Sequence, residues 1–252
     1  MGTGGFPLDR VLLGHCKFNQ TQLPIKIYLL PPILYPLHKK LNQGLPEGKL
    51  VVKVNRDSTA FILVDAQNFV LHEKGTAAQW GAWKFAWEKG IIESTVKAIE
   101  KFRAEKIPII YVNMELRPQI SQALNANLPD VDFWKPIKGL DFTKTTREEG
   151  EFQGRVIEEF APHPEDIIVA KHHMMSGFHG TDLDKILVCL HLDTLLIGGA
   201  ITNLCVEGTV RGAFDRGYHS IVLSDCVASV NDEAQCFALD FIFPIFGRVC
   251  AS

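Results

Sequence analysis

The sequence lacks an excess of charge of either sign, since 26 lysines and arginines stand against 29 aspartates and glutamates, a net charge of −3. The basic residues are scattered and form no cluster, so neither a nucleic acid nor an anionic membrane is indicated as a partner. Internal repeats and low-complexity tracts are also missing. A length of 252 residues predicts one large domain, or at most two small ones.

No two cysteines have CxxC spacing, and none stands with histidines at the spacing of a zinc finger. This dispersion in a chain of such length favours reduced thiols in a cytoplasmic protein over a disulfide scaffold. The six cysteines are Cys16, Cys189, Cys205, Cys226, Cys236 and Cys250.

Long hydrophobic runs are missing as well. The opening MGTGGFPLDR has no basic start followed by an apolar run, so no signal peptide is predicted. The stretch IYLLPPILYPL at 27–37 is too short to span a bilayer and contains three prolines. We expect residues 1–56 to form an N-terminal extension, an arm that lies on a surface such as that of a neighbouring subunit.

From Thr59 onward, continuous apolar runs alternate with helical stretches. Strands are predicted at 59–65, 107–113, 166–171, 193–199 and 219–225, with GRVCA as a last edge strand. Helices are predicted at 77–106 with an interruption near Gly90, at 181–191 with Thr181 as N-cap and Asp184 in a capping-box position, at 205–216 and at 231–243.

This alternation predicts an α/β domain over residues 57–252. Right-handed crossovers would form a three-layer αβα arrangement with a central, mainly parallel sheet covered on both faces. The segment 114–150 is long and irregular, which favours a lid or an oligomer contact.

Three polar residues stand at or just beyond the ends of predicted strands: Asp65, Lys171 and Cys205. Each alone has an ordinary explanation, respectively a turn cap, a solvated strand end and an inert small hydrophobe. Active sites of parallel sheets gather at the carboxyl ends of the strands, which would bring the three together. Amide hydrolysis needs a nucleophile, a proton donor and oxyanion stabilisation. Cys205 begins a predicted helix, a position that stabilises a thiolate, and Lys171 would hold that thiolate as an ion pair.

Three segments resemble the isochorismatase-like cysteine hydrolases, in the order and at about the spacing of that family. The segments are FILVDAQNFV (61–70), DIIVAKHHMMSGFHGTDLDKIL (166–187) and LLIGGAITNLCVEGTVRGAFDRGYHSIVLSDCVAS (195–229). The resemblance covers about residues 57–250. It implies that Asp65 is the general base, that Lys171 stabilises the thiolate and orients the carboxylate, and that Cys205 attacks the carbonyl to form a thioester.

The resemblance also implies a backbone site for the oxyanion. A cis peptide bond between Ala200 and Ile201 is expected, which would aim the N–H groups of Ile201 and Cys205 at the oxyanion. Gln67 and Asn68 are expected to tie their loop into the substrate site by hydrogen bonds, with ordinary satisfaction of a turn as the alternative.

Further residues are candidates for binding substrate. Phe69, Trp134 and Phe178 would form an apolar wall, with core packing as the alternative. Arg117 matches an arginine of some family members and would bind a substrate carboxylate or carbonyl, with a salt bridge as the alternative. The run KHHMMSGF has one residue more between Lys171 and Ser176 than ureide-cleaving members have, and we expect a small bulge to absorb it.

The cysteine favours the amidase branch of the family, because isochorismatases proper hydrolyse a vinyl ether without it. No histidine occurs in YVNMELRPQISQALNAN, so a nicotinamidase-type metal site is not predicted. We expect a cytoplasmic homo-oligomer, a dimer or tetramer, that hydrolyses a small linear amide or ureide without a cofactor. N-carbamoyl amino acids, ureidoacrylate and biuret are the substrate types. The alternatives are hydrolysis of an ester, vinyl ether or cyclic amide, and a non-catalytic binding or assembly module.

Overall fold

The computed structural model describes residues 27–28, 51–115, 129, 131–132, 146–172 and 175–252. Most of the N-terminal extension and of the irregular segment 114–150 lies outside these residues, and so do Arg117 and Trp134. The strands are β1 (Ile27–Tyr28), β2 (Val51–Val52), β3 (Thr59–Val64), β4 (Ile109–Met114), β5 (Ile167–Lys171), β6 (Thr194–Ala200), β7 (His219–Ala228) and β8 (Gly247–Cys250).

Helices alternate with these strands along the described part of the chain. The α-helices are α1 (Asn68–Leu71), α2 (Ala82–Glu88), α3 (Ile91–Ala104), α4 (Arg147–Gly154), α5 (Leu183–Cys189), α6 (Glu207–Phe214), α7 (Asp232–Phe237) and α8 (Phe243–Phe246). Two π-helical turns, Thr202–Val206 and Ala238–Ile242, precede α6 and α8. None of the described helices is long and apolar enough to cross a membrane.

Six strands form one parallel sheet in the order β5-β4-β3-β6-β7-β8, while β1 and β2 pair as a separate antiparallel ribbon. The predicted α/β fold with a mainly parallel sheet is therefore confirmed. The chain proceeds outward from β3 to β5 and then returns to place β6 on the other side of β3. This reversal creates a crevice between the carboxyl ends of β3 and β6, the usual position of a ligand site in such sheets.

The sheet has helices on both faces because its central strands are apolar on both sides. All six residues of β3 are buried. Phe61 faces the α3 side, where its ring centroid lies 5.0 Å from that of Phe102. Ile62 faces the opposite layer and belongs to the core that contains Leu183 of α5 and Val210 of α6. Burial on both faces explains the near-continuous apolar run of this strand.

The predicted helix boundaries are confirmed at Gly90 and shifted at α5. The interruption predicted near Gly90 is present, and Gly90 takes a left-handed φ of 69° between α2 and α3. Helix α5 begins later than expected, at Leu183, and the Thr181 hydroxyl accepts a hydrogen bond from the Leu183 N–H at 3.2 Å. Asp184 forms no capping box there, because its carboxylate accepts a hydrogen bond from the Tyr218 hydroxyl at 2.8 Å.

Gly199 is required where β6 passes β3. Its φ is +114°, and an added Cβ would lie 2.0 Å from the Val64 carbonyl oxygen. We expect Gly199→Ala to lower the free energy of unfolding by at least about 3 kcal/mol, because the clash is with backbone that has no room to shift. Gly217 has a φ of +81° but open space around it. Gly217→Ala is the control and should cost about 1 kcal/mol. Equal losses in urea denaturation would contradict the steric argument.

Candidate active site

The fold brings the ends of three strands together at one edge of the sheet. Asp65 directly follows β3, Lys171 is the last residue of β5, and Cys205 lies in the π-helical turn after β6. Strand β4 separates β3 from β5, and its last residue, Met114, is paired in register with Lys171. The long lysine side chain therefore extends past β4 toward Asp65. All three side chains are buried.

A buried ion pair forms the centre of this site. The Lys171 Nζ lies 2.7 Å from Asp65 Oδ2, and the side chains are 0% and 4% exposed. The Cys205 thiol lies beside both groups and interacts with the Asp65 carboxylate and the Lys171 ammonium. Asp65 itself has a left-handed φ of 47°, which a short polar side chain tolerates better than most.

Burial dominates the electrostatics of the three groups. It raises the pKa of the Asp65 carboxyl, although Lys171 and the hydrogen bond from Cys205 act in the opposite direction. Burial alone would lower the pKa of Lys171, but the charges of Asp65 and Cys205 outweigh it, so the lysine stays protonated. Burial and the Asp65 charge together raise the pKa of the Cys205 thiol to about 12, in spite of Lys171. These shifts favour a neutral thiol at rest, whereas the sequence predicts a thiolate held by Lys171, and the pH dependence of Cys205 alkylation distinguishes the two states.

The turn that carries Cys205 is anchored to the strand and helix that follow. The Thr202 hydroxyl donates to Gln235 Oε1 at 2.7 Å, and Gln235 Nε2 donates to the Val227 carbonyl at 2.9 Å. The Ser229 hydroxyl donates to Asn203 Oδ1 at 2.7 Å. These polar partners were not predicted, because they lie 26 or more residues from the turn and have no signature spacing.

The peptide bond between Ala200 and Ile201 is cis. Ile201 begins the turn, and its carbonyl accepts hydrogen bonds from the N–H groups of Leu204 at 2.9 Å and Val206 at 3.3 Å. Ile201 and Cys205 both line a cavity over the Asp65 and Cys205 side chains. Their N–H groups would have to lie at this cavity to donate to a substrate oxygen.

Gln67 and Asn68 bind backbone groups of neighbouring elements. The Gln67 amide donates to the carbonyls of Met114 at 2.9 Å and Gly154 at 2.8 Å, and its oxygen accepts from the Met114 N–H at 2.8 Å. Asn68 Nδ2 donates to the Phe152 carbonyl at 2.9 Å. These amides hold the loop after β3 against β4 and α4, so they position the site.

A small cavity that opens to solvent lies over the Asp65 and Cys205 side chains. Its wall is apolar and includes Phe69, whose ring packs edge-on against Trp80 at 6.2 Å between centroids. The residues that line it are Asp65, Phe69, Val70, Trp80, Met114, Met175, Ala200, Ile201, Leu204 and Cys205.

Phe178, the other predicted wall residue, does not line this cavity. Its ring stacks on that of Tyr218 at 5.6 Å, and its side chain belongs to the core beneath α6. Phe178 is therefore a packing residue, which is the alternative that the sequence analysis gave for it. The expected bulge between Lys171 and Ser176 falls in part on residues 173–174, outside the described ones. Within the described ranges, no group of three or more His, Cys, Asp and Glu is placed to hold a metal ion.

Comparison with known proteins connects this geometry to one family. The isochorismatase domain matches residues 59–252 of the chain. A ureidoacrylate amidohydrolase, RutB of Yersinia enterocolitica, is 32% identical over 203 residues, which is 76% of this chain and 85% of the relative.

Solved structures share the fold at similar identity. A cysteine hydrolase from Pseudomonas syringae pv. phaseolicola superposes with a TM-score of 0.63 at 28% identity, covering 78% of this chain and 89% of its own. An N-carbamoylsarcosine amidase from Thermoplasma acidophilum gives a TM-score of 0.56 at 28% identity, covering 77% of this chain and 96% of its own.

The raised pKa of Cys205 has a direct consequence for its reactivity. Only the thiolate is alkylated, so in the free protein the rate with iodoacetamide should rise about tenfold per pH unit between about pH 7 and pH 10. Mass spectrometry of the Cys205 peptide measures this rate. A rate that levels off below about pH 9 would mean that the thiolate is already formed at rest.

The ion pair also contributes to stability. Lys171→Met leaves the Asp65 carboxylate buried without its cation, and we expect a loss of about 3–5 kcal/mol in the free energy of unfolding near neutral pH. Adding Asp65→Asn removes the uncompensated charge and should restore part of that loss. Urea denaturation of the two variants measures both effects. A double variant less stable than Lys171→Met alone would contradict this account of the pair.

Proposed function

Because this chain belongs to the isochorismatase family, we propose that it is a cysteine-dependent amidohydrolase that cleaves a carbon–nitrogen bond of a small linear amide or ureide. The observation that carries the proposal is the buried carboxylate of Asp65, which is paired with Lys171 at 2.7 Å and lies beside the Cys205 thiol at a cavity. The similarity to a ureidoacrylate amidohydrolase supports the choice of a ureide-type substrate.

Asp65 moves the protons of the proposed reaction. Its carboxylate takes the thiol proton as the Cys205 sulfur attacks the substrate carbonyl, and a tetrahedral intermediate forms. The protonated Asp65 then donates to the leaving nitrogen, which departs as ammonia or an amine and leaves a thioester. Water attacks the thioester while Asp65 accepts its proton, and the acid product and the free thiol are released. Burial raises the pKa of Asp65, which makes it a stronger base and suits it to both directions of transfer near neutral pH.

Lys171 and the backbone stabilise the charges that appear during this reaction. The thiol has a pKa of about 12, so the sulfur becomes negative only as it attacks, and the Lys171 ammonium is already in place to stabilise it. The N–H groups of Ile201 and Cys205 are the proposed donors to the oxyanion, in keeping with the position of both residues at the cavity.

A cytoplasmic location and a homo-oligomeric state remain part of the proposal. All five cysteines in the described part of the chain are free thiols, in keeping with a reducing compartment. Apolar side chains of Phe214, Phe237 and Ile245 are more than half exposed at the helices that follow β6 and β7, a surface that a second copy of the chain would cover.

Ammonia release from a panel of ureides and amides tests the proposed activity. Ureidoacrylate, an N-carbamoyl amino acid, biuret and a simple aliphatic amide represent the substrate class. We expect Cys205→Ser to lower kcat by at least about 1,000-fold with the fold intact, because the hydroxyl is a far weaker nucleophile in the same place. Cys189→Ser, at an exposed thiol, is the matched control and should keep full activity.

Two outcomes would contradict the proposal. One is turnover of the panel by Cys205→Ser at the rate of the unmodified chain. The other is release of product only from esters or vinyl ethers, with no amide or ureide cleaved.

A further inference from the structure

Thr209 lies one helical turn after Cys205, and its side chain has no exposed surface. Its hydroxyl donates to the Cys205 carbonyl at 2.7 Å and accepts a hydrogen bond from the Gly177 N–H at 3.0 Å. The first bond is common for threonine in helices, where the hydroxyl often reaches the carbonyl four residues earlier. The second is not a helical bond, because Gly177 belongs to a different part of the chain.

Gly177 lies in the loop that follows Lys171, and this loop packs closely on α6. A Cβ added to Gly208 would lie 3.0 Å from the Met175 carbonyl carbon, and one added to Gly212 would lie 2.7 Å from Ser176 Oγ. Met175 lines the cavity over Cys205. Because Gly177 is buried, its N–H would lose its partner if the Thr209 hydroxyl were removed, and an unpaired buried donor is costly.

We propose that Thr209 is a positioning residue for the reaction of Cys205. Its hydroxyl joins the turn of the nucleophile to the loop that continues from Lys171, so it sets the placement of the sulfur relative to the Asp65–Lys171 pair. The same bond holds Met175, two residues before Gly177, at the cavity wall. The effect on turnover rests on the proposed function, whereas the effect on thiol chemistry does not.

Replacing the hydroxyl by a methyl group separates positioning from packing. We expect Thr209→Val to lower kcat about 10- to 100-fold, the size of effect that a displacement of about 1 Å produces in a catalytic group. The pH profile of Cys205 alkylation should shift as well, because the contact between thiol and carboxylate changes. Thr209→Ser keeps both hydrogen bonds and should stay within about threefold of the unmodified chain in both measurements.

Thr95 provides a matched control in another helix. It is buried in α3, and its hydroxyl donates to the Ile91 carbonyl at 2.8 Å, the same bond to the fourth preceding residue. We expect Thr95→Val to lower the melting temperature less than Thr209→Val does, because it leaves no buried backbone N–H unpaired, and to leave kcat and the alkylation profile unchanged. If Thr209→Val does not fold, Thr209→Ala removes the same hydroxyl and gives the same comparison.

The outcomes separate this inference from the proposed function. If Thr209→Val keeps the kcat and the alkylation profile of the unmodified chain and loses only thermal stability, Thr209 is structural and the inference is wrong. If the unmodified chain cleaves no amide or ureide, the proposed function fails, and the alkylation profiles decide on Thr209 by themselves. A shifted profile that Thr209→Ser restores supports the positioning role, and an unshifted one overturns it.

Discussion

The site depends on one interaction, the ion pair between Lys171 and Asp65, which is held almost entirely out of water. Moving each ion from water into the protein interior costs several kcal/mol, and only a close partner with good geometry offsets that cost. A separation of 2.7 Å and the contacts of both groups with Cys205 supply that partner. The burial that makes the pair costly also raises the pKa of Asp65, which is the property a base for the neighbouring thiol needs.

The parallel sheet makes this pair possible. The carboxyl ends of β3, β4 and β5 lie side by side, so a lysine at the end of the third strand reaches an aspartate at the end of the first. Gln67 then binds both backbone groups of Met114, the residue between them in the sheet. Cys205 enters from the other side of β3, on the turn after β6. Cys205 and the ion pair therefore meet at the point where the strand order reverses.

The strands, their order of alternation with helices and the positions of Asp65, Lys171 and Cys205 at strand ends were all predictable. These features follow from local sequence patterns. Strand β3 is a continuous apolar run because both of its faces are buried, and a polar residue follows where the strand ends. Helix boundaries were less predictable. The Thr181 hydroxyl accepts from the Leu183 N–H at the start of α5, as a local signal allows. The Asp184 carboxylate instead binds Tyr218, 34 residues away, and that contact depends on another part of the fold.

The sequence by itself determined the α/β class, the strand-end residues and the family resemblance, because apolar periodicity and motif spacing are properties of neighbouring residues. Only the tertiary structure decided how these residues behave. It placed Phe178 in the core and Phe69 at the cavity, turned the Gln67 amide toward the backbone, and raised the pKa of the buried Cys205 thiol. The physical reason is that burial and long-range hydrogen bonds set the protonation and direction of a side chain, and both arise only when distant segments pack together.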